Sequence, residues 1–101
     1  MANMPELRLE PYLTDVLMRD LVGHDHAPSA FLVYLWLWRQ THAQARTEIG
    51  ASLQDLARAT GLSKSSVQNA LRRLKRRRLV TAERTTATAA PIYRVNETWK
   101  R

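Results

Sequence analysis

The chain has 101 residues, of which 45% are apolar and 25% are charged, and it contains no cysteine. These values are typical of one small folded domain, and they exclude disulfides and thiolate metal sites. The amino terminus has neither the basic nor the apolar segment of a secretion signal. The longest apolar run, residues 30–38, is too short to cross a membrane. We therefore expect a soluble, cytoplasmic protein.

Charge is divided unevenly between the two halves of the chain. Residues 1–50 contain four arginines and six acidic residues, whereas residues 51–101 contain twelve Lys or Arg and three acidic residues. The net charges are therefore −2 and +9, consistent with the formal +7 of the whole chain. The basic half predicts a polyanionic partner, most often nucleic acid and less often an anionic membrane surface. The first half has the character of a scaffold.

A first helix is predicted near residues 11–22. Pro11 lies in its first turn, apolar residues follow at helical spacing, and Gly23 is expected to end it. His24 and His26 lie in the loop that follows. Because no third ligand stands at a matching spacing, we interpret them as exposed loop residues and predict no metal site.

A second helix is predicted from Pro28 or Ser29 to about Ala45. Its residues 31–38 are apolar on every face, which predicts burial. Two interpretations remain open: a central core helix, or a helix with one side in an oligomer interface. Residues 46–51 alternate between polar and apolar character, which predicts a single short strand.

A helix-turn-helix is predicted in the next segment. Ser52-x-x-Asp55 has the pattern of a capping box, which starts a third helix, and Gly61 supplies the left-handed residue that ends it. Ser63 is the cap of the following helix. Two short helices joined by a tight turn that contains glycine form this motif. The inward face of the third helix is predicted to consist of Leu53, Leu56, Ala57 and Thr60.

The fourth helix, residues 64–77, has two distinct faces. At 100° per residue one stripe is apolar, formed by Val67, Ala70, Leu71 and Leu74. The opposite side carries Ser65, Gln68, Asn69, Arg72 and Arg76, with Arg73 beside them. Hydrogen-bonding side chains therefore come first along the outward face, and arginines come later.

Two strands are predicted after this helix. The segments "LVTAERT" and "PIYRV" flank the small, polar turn "TATAA". They form a hairpin with Arg84 and Arg94 on its arms.

Residues 52–83, "SLQDLARATGLSKSSVQNALRRLKRRRLVTAE", resemble the winged helix-turn-helix of bacterial regulators of the MarR and GntR kinds. The signature is L-x-x-L-A-x-x-T-G-L-S-x-x-[ST]-V-x-x-A-L-x-x-L at residues 53–74, followed by a two-stranded wing. The order of elements also resembles the amino-terminal DNA-binding domain of phage and plasmid replication organisers. The resemblance covers residues 28–96.

Two positions depart from the pattern of these families. They usually have glycine where this chain has Arg78, because the backbone there turns left-handed into the wing. The turn in this chain therefore differs, or contacts hold Arg78 in place. The wing tip also lacks the lysines or arginines that wings often insert into a minor groove.

The resemblance implies a mostly α fold with a small β-hairpin wing, a winged helix-turn-helix with an extra amino-terminal helix. The expected division is an extension with one helix packing on the core at 1–27, the winged helix-turn-helix at 28–96, and a basic tail at 97–101. No motif of an enzyme is present, so we expect no catalysis and no cofactor.

Helix 64–77 is expected to enter the major groove of double-stranded DNA. Its amides suit adenine, and its cations suit guanine or phosphates. The expected DNA-binding residues are Ser52, Ser63, Lys64, Ser65, Ser66, Gln68, Asn69, Arg72, Arg73, Arg76, Arg84 and Arg94.

The function expected first is a sequence-specific transcriptional regulator of a bacterium, associated with the nucleoid when bound. The alternatives are the DNA-binding part of a replication or partition initiator, and a protein-interaction winged helix that binds no DNA. We also expect a homodimer, formed through helix 31–38 or through the terminal segments with Trp99.

Overall fold

The computed structural model describes residues 6–97. Its first element is a π-helical segment with two stretches, Leu13–Leu17 and Arg19–His24. Backbone bonds here span five residues, as from the Met18 N–H to the Leu13 carbonyl. A helix near residues 11–22 was therefore predicted correctly, although its type was not.

The predicted end of this helix at Gly23 is wrong. The bond from the Asp25 N–H to the Asp20 carbonyl, 2.8 Å long, carries the last turn past Gly23 as far as His24. The left-handed residue of the turn is instead His26, with φ 53°.

Helix α1 spans Pro28–Gln40, so its predicted end near Ala45 is also wrong. Thr41 leaves the helical conformation, with φ −115° and ψ −87°. Its side chain is fully buried, and the hydroxyl donates a hydrogen bond of 2.8 Å to the Leu37 carbonyl. A short 3-10 turn, His42–Gln44, follows.

Helices α2, Leu53–Thr60, and α3, Lys64–Arg76, form the predicted helix-turn-helix. The capping box is present: the Asp55 N–H donates to the Ser52 hydroxyl over 3.0 Å, and the Ser52 N–H donates to the Asp55 carboxylate over 2.9 Å. Gly61 ends α2 in the left-handed conformation, with φ 77°.

Three short strands form one antiparallel sheet in the order β1-β3-β2. They are β1, Glu48–Gly50, β2, Val80–Glu83, and β3, Ile92–Val95. The single strand and the hairpin that the sequence predicted are both present. The sequence did not predict that β1 pairs with β3 and so joins the wing to the scaffold.

The core lies between α1, the helix-turn-helix and the inner face of the sheet. Tyr34 and Leu37 of α1 are fully buried, and the Tyr34 hydroxyl donates a 2.7 Å bond to the Asn96 carbonyl beyond β3. The π-helical segment contributes to the same core with Leu13, Leu17 and Leu21. The predicted apolar stripe of α3 is buried: Val67, Ala70, Leu71 and Leu74.

Arg77 joins the end of α3 to the π-helical segment. Its Nη1 lies 3.0 Å from Oδ1 of Asp25, and its Nη2 lies 3.6 Å from Oδ2 of Asp20. Burial by itself raises the pKa of Asp25, but the hydrogen bond with His24 and the charge of Arg77 outweigh it, so the pKa lies below 3.8. This pair therefore stabilises the fold at neutral pH, and its contribution is lost as the pH falls through that lowered pKa.

Arg78 is left-handed, with φ 59°, at the position where the families that this segment resembles usually have glycine. Its N–H donates to the Lys75 carbonyl over 3.0 Å, and the Leu79 N–H donates to the Leu74 carbonyl over 2.9 Å, which is the Schellman arrangement. Asn96 Nδ2 donates to the Arg78 carbonyl over 3.1 Å. Contacts therefore hold this turn in the usual geometry in spite of the arginine.

Replacing Arg78 by Gly is expected to stabilise the protein by about 0.5–1 kcal/mol in urea unfolding. The left-handed conformation costs a residue with a Cβ about 1–2 kcal/mol, and the greater freedom of glycine in the unfolded chain offsets a part of the gain. The control is Arg78→Ala, which removes the same charge but keeps the Cβ. Equal stabilities of the two variants would show that the backbone is not strained.

Candidate nucleic-acid interface

The face of α3 opposite the core is exposed, as the helical periodicity predicted. Ser65, Gln68 and Asn69 are exposed near its beginning, and Arg72 and Arg76 further along. Arg73 is half-buried, and its charge also acts on Asp25. A polar and basic surface therefore runs along the whole helix.

The start of α3 carries a cluster of three hydroxyl groups. The Ser63 hydroxyl caps the helix by accepting from the Ser66 N–H over 3.1 Å. It also lies 3.2 Å from the Ser65 hydroxyl and 3.0 Å from the Ser66 hydroxyl. Lys64 is exposed beside them. Hydroxyl groups can both donate and accept, so this end of the helix suits base edges or phosphates.

Asn69 and Arg72 are joined by a hydrogen bond of 2.9 Å from Nη1 of the arginine to Oδ1 of the amide. An amide oxygen has two lone pairs, so Oδ1 keeps one with which to accept a further bond. With Arg73 and Arg76 these two residues line a shallow hollow of about 210 Å³. Three of its four residues are cationic, which suits a phosphate group.

A larger cleft of about 490 Å³ separates α3 from the wing. We call it the wing cleft; it is lined by Leu53, Gln68, Leu71, Arg72, Lys75, Ala82, Glu83, Arg84, Pro91 and Tyr93. Three cations and one carboxylate face it, which gives it a net positive charge. The cleft brings together three residues that the sequence predicted as DNA-binding: Gln68, Arg72 and Arg84.

Arg94 and Ser52, which were also predicted, lie outside α3 and are not among the residues that line the cleft. Arg94 is exposed on β3 between the buried Tyr93 and Val95, so it lies on the outer face of the sheet, where Nη2 is 3.3 Å from Oε1 of Glu48. Ser52 caps α2, and the Asp55 carboxylate occupies that helix start. The two hydrogen bonds from Ser52 lower the pKa of Asp55, so the carboxylate is charged at neutral pH.

Three polar residues of the cleft were not predicted from the sequence as site residues: Lys75, Glu83 and Tyr93. Lys75 was detectable, because it stands seven residues after Gln68 and three after Arg72, on the same side of the helix. Glu83 and Tyr93 face the cleft only because the wing folds back onto α3. Nothing in their local sequence indicates that.

Within residues 6–97, no group of three His, Cys, Asp or Glu side chains is arranged to hold a metal ion. In the same part of the chain no helix has the length and apolarity needed to cross a bilayer.

The arrangement of α2, α3 and the β2–β3 hairpin defines a winged helix-turn-helix. Residues 43–89 match the model of the MarR family, so this part of the chain is similar to the winged helix-turn-helix of that family. The match covers β1, the helix-turn-helix and the first strand of the wing. No curated protein and no solved structure matches the chain.

Proposed function

We propose that this protein binds double-stranded DNA sequence-specifically, with α3 in the major groove, and regulates transcription in a bacterial cytoplasm. The observation that carries the proposal is the exposed face of α3, which is polar at its start, basic further along, and continuous with the basic wing cleft. A helix-turn-helix presents the first turns of its second helix to base edges. The likeness to MarR regulators supports the same role.

Base reading is assigned to Gln68 and Asn69. The side chain of Gln68 has no hydrogen-bond partner within residues 6–97, so both ends of its amide are available to a base. Asn69 keeps its amide nitrogen and one lone pair beyond its bond with Arg72. A side-chain amide matches the N6 and N7 edge of adenine.

Phosphate binding is assigned to the cations. Arg73 and Arg76 lie further along α3, and Arg84 lies at the base of the wing loop, where its Nη1 donates to the Ala87 carbonyl over 3.2 Å. The wing tip contributes no cation, so Arg84 is the cation of the wing that faces α3. Arg94 is paired with Glu48, and Ser52 is hydrogen-bonded to Asp55 at the start of α2. The proposal does not depend on DNA contacts by either Arg94 or Ser52.

A selection from random duplexes tests sequence specificity. We expect enrichment of a defined half-site, because amide contacts discriminate between bases by about 1–3 kcal/mol each. Binding without enrichment would reduce the function to non-specific DNA association. No recovered DNA at low salt would favour the protein-interaction alternative.

We further propose that the protein acts as a homodimer. The exposed side of α1 supports this, since Leu32 is 45% exposed although it lies in the middle of an apolar helix. Beside it lies an apolar groove of about 270 Å³, lined by Leu7, Leu32, Leu35, Trp36, Arg39, Ala59 and Thr60. A two-fold dimer doubles the base contacts on a pseudo-palindromic site. The other expected interface, formed by the terminal segments with Trp99, involves residues that lie outside the described part of the chain.

Leu32→Asp is expected to convert a dimer into a monomer in sedimentation velocity runs at micromolar concentrations, because it places a charge in an apolar interface. The matched control is Val22→Asp on the π-helical segment, since Val22 is 39% exposed and also apolar. If Val22→Asp dissociates the dimer and Leu32→Asp does not, the interface lies on the amino-terminal π-helical segment and not on α1. If the wild type is monomeric both with and without DNA, the proposed homodimer is wrong.

A further inference from the structure

The base of the wing cleft contains a polar group that the fold does not use. Tyr93 is only 3% exposed, and it lines the cleft. Within residues 6–97 the Tyr93 hydroxyl has no hydrogen-bond partner, and its oxygen is accessible to solvent. The ring is therefore part of the core, while the hydroxyl opens into the cleft.

The surroundings of this hydroxyl are cationic on both walls. Arg72 and Lys75 face the cleft from α3, and Arg84 faces it from the wing. The charge of Arg84 is close enough to act on the phenol. Glu83 is the one carboxylate among the residues that line the cleft. A neutral donor among three cations suits an anion with several acceptor oxygens.

We propose that the wing cleft holds one backbone phosphate of the bound DNA, with the Tyr93 hydroxyl donating to it between Lys75 of α3 and Arg84 of the wing. The proposal rests on the proposed function, and it adds that helix and wing bind the same phosphate. Tyr93 thereby fixes how closely the wing approaches the DNA strand next to the recognition helix.

Two further observations agree with a phosphate in this place. Burial raises the pKa of the Tyr93 phenol above its ordinary 10.0, and the charge of Arg84 offsets only a part of that effect, so the phenol stays a donor at neutral pH. Leu53 and Pro91 also line the cleft, and apolar walls strengthen a charge-assisted hydrogen bond by excluding water.

The first test is Tyr93→Phe, which removes the hydroxyl alone. We expect DNA affinity to fall about tenfold on specific and random duplexes alike, since the variant cannot donate a hydrogen bond to the charged phosphate. The salt slope should stay unchanged, because the phenol is neutral. Thermal stability should also stay unchanged, because the hydroxyl has no partner in the described part of the chain. A purely structural role predicts the reverse, lower stability with unchanged affinity.

Variants that change the charge of the same cleft supply the second test. Lys75→Gln and Arg84→Gln should each weaken binding, and the double variant should reduce the salt slope by about 0.9, because the two cations neutralise one shared phosphate. Glu83→Gln should tighten binding several-fold, since it removes the one carboxylate that faces the phosphate. Arg19→Gln, at an exposed position of the amino-terminal π-helical segment, should change neither quantity.

A scan with single methylphosphonates in the selected site identifies the phosphate. One position should weaken the wild type when it is neutralised but cause little further loss in Tyr93→Phe, Lys75→Gln and Arg84→Gln alike, because the effects of coupled groups do not add. Coupling of Lys75 and Arg84 to different positions would contradict a shared phosphate. If the DNA affinity of the wild type falls steeply with salt concentration but Tyr93→Phe binds DNA as tightly as the wild type, the inference about the cleft fails while the proposed function stands. A wild type that binds no DNA overturns both.

Discussion

Leu71→Ala is expected to lower the free energy of unfolding by about 2–5 kcal/mol. Leu71 is 5% exposed on the apolar stripe of α3, and truncating it leaves a cavity that the surrounding core cannot fill. For a domain of this size the decrease is a large fraction of the total stability. DNA affinity should fall only in proportion to the unfolded fraction, so it should recover at low temperature or in a stabilising osmolyte.

The control for this variant is Leu9→Ala, the same chemical change at a residue that is 40% exposed. We expect a change within about 0.5 kcal/mol there. Urea unfolding gives both values. A Leu71→Ala protein as stable as the wild type would contradict the burial of this stripe, and a folded variant without affinity would assign Leu71 a direct part in binding.

Gln68→Ala is expected to weaken binding to the selected site by about 1–3 kcal/mol and binding to random DNA very little. The reason is that its free amide lies on the first half of the exposed face, where base edges come within reach. Asn69→Ala should behave in the same way, with an added effect from releasing Arg72.

The matched variant is Arg76→Ala, on the later part of the same exposed face. It should weaken specific and random binding alike, and it should flatten the salt slope by about one unit for each phosphate that the variant no longer neutralises. Arg73→Ala should do the same. If Gln68→Ala and Arg76→Ala weaken binding in equal proportion on both duplexes, the division between base-reading and phosphate-binding residues is wrong.

Features that depend on neighbouring residues were predictable from the sequence. The capping box of Ser52 and Asp55, the left-handed Gly61 and the two faces of α3 are all set within a few residues. The helix-turn-helix was therefore predicted correctly from local patterns alone. The exposed candidates on α3 followed from the same periodicity.

Features that depend on distant contacts were not predictable. Helix α1 ends at Gln40 because the next residue, Thr41, is fully buried in the core. Strand β1 joins the sheet because Ile49 pairs with Tyr93. The wing cleft likewise exists only in the folded chain. That is why its acid Glu83 was absent from the predicted site.

The most direct test of DNA binding through the basic half of the chain is the salt dependence of affinity. Fluorescence anisotropy of a labelled duplex, measured between about 50 and 200 mM salt, gives the slope of log affinity against log salt concentration. If each subunit neutralises about four to six phosphates, the slope should be near −0.9 times that number per subunit. A slope near zero would contradict the account, because the cations of α3 and the wing cleft would then not contact phosphates.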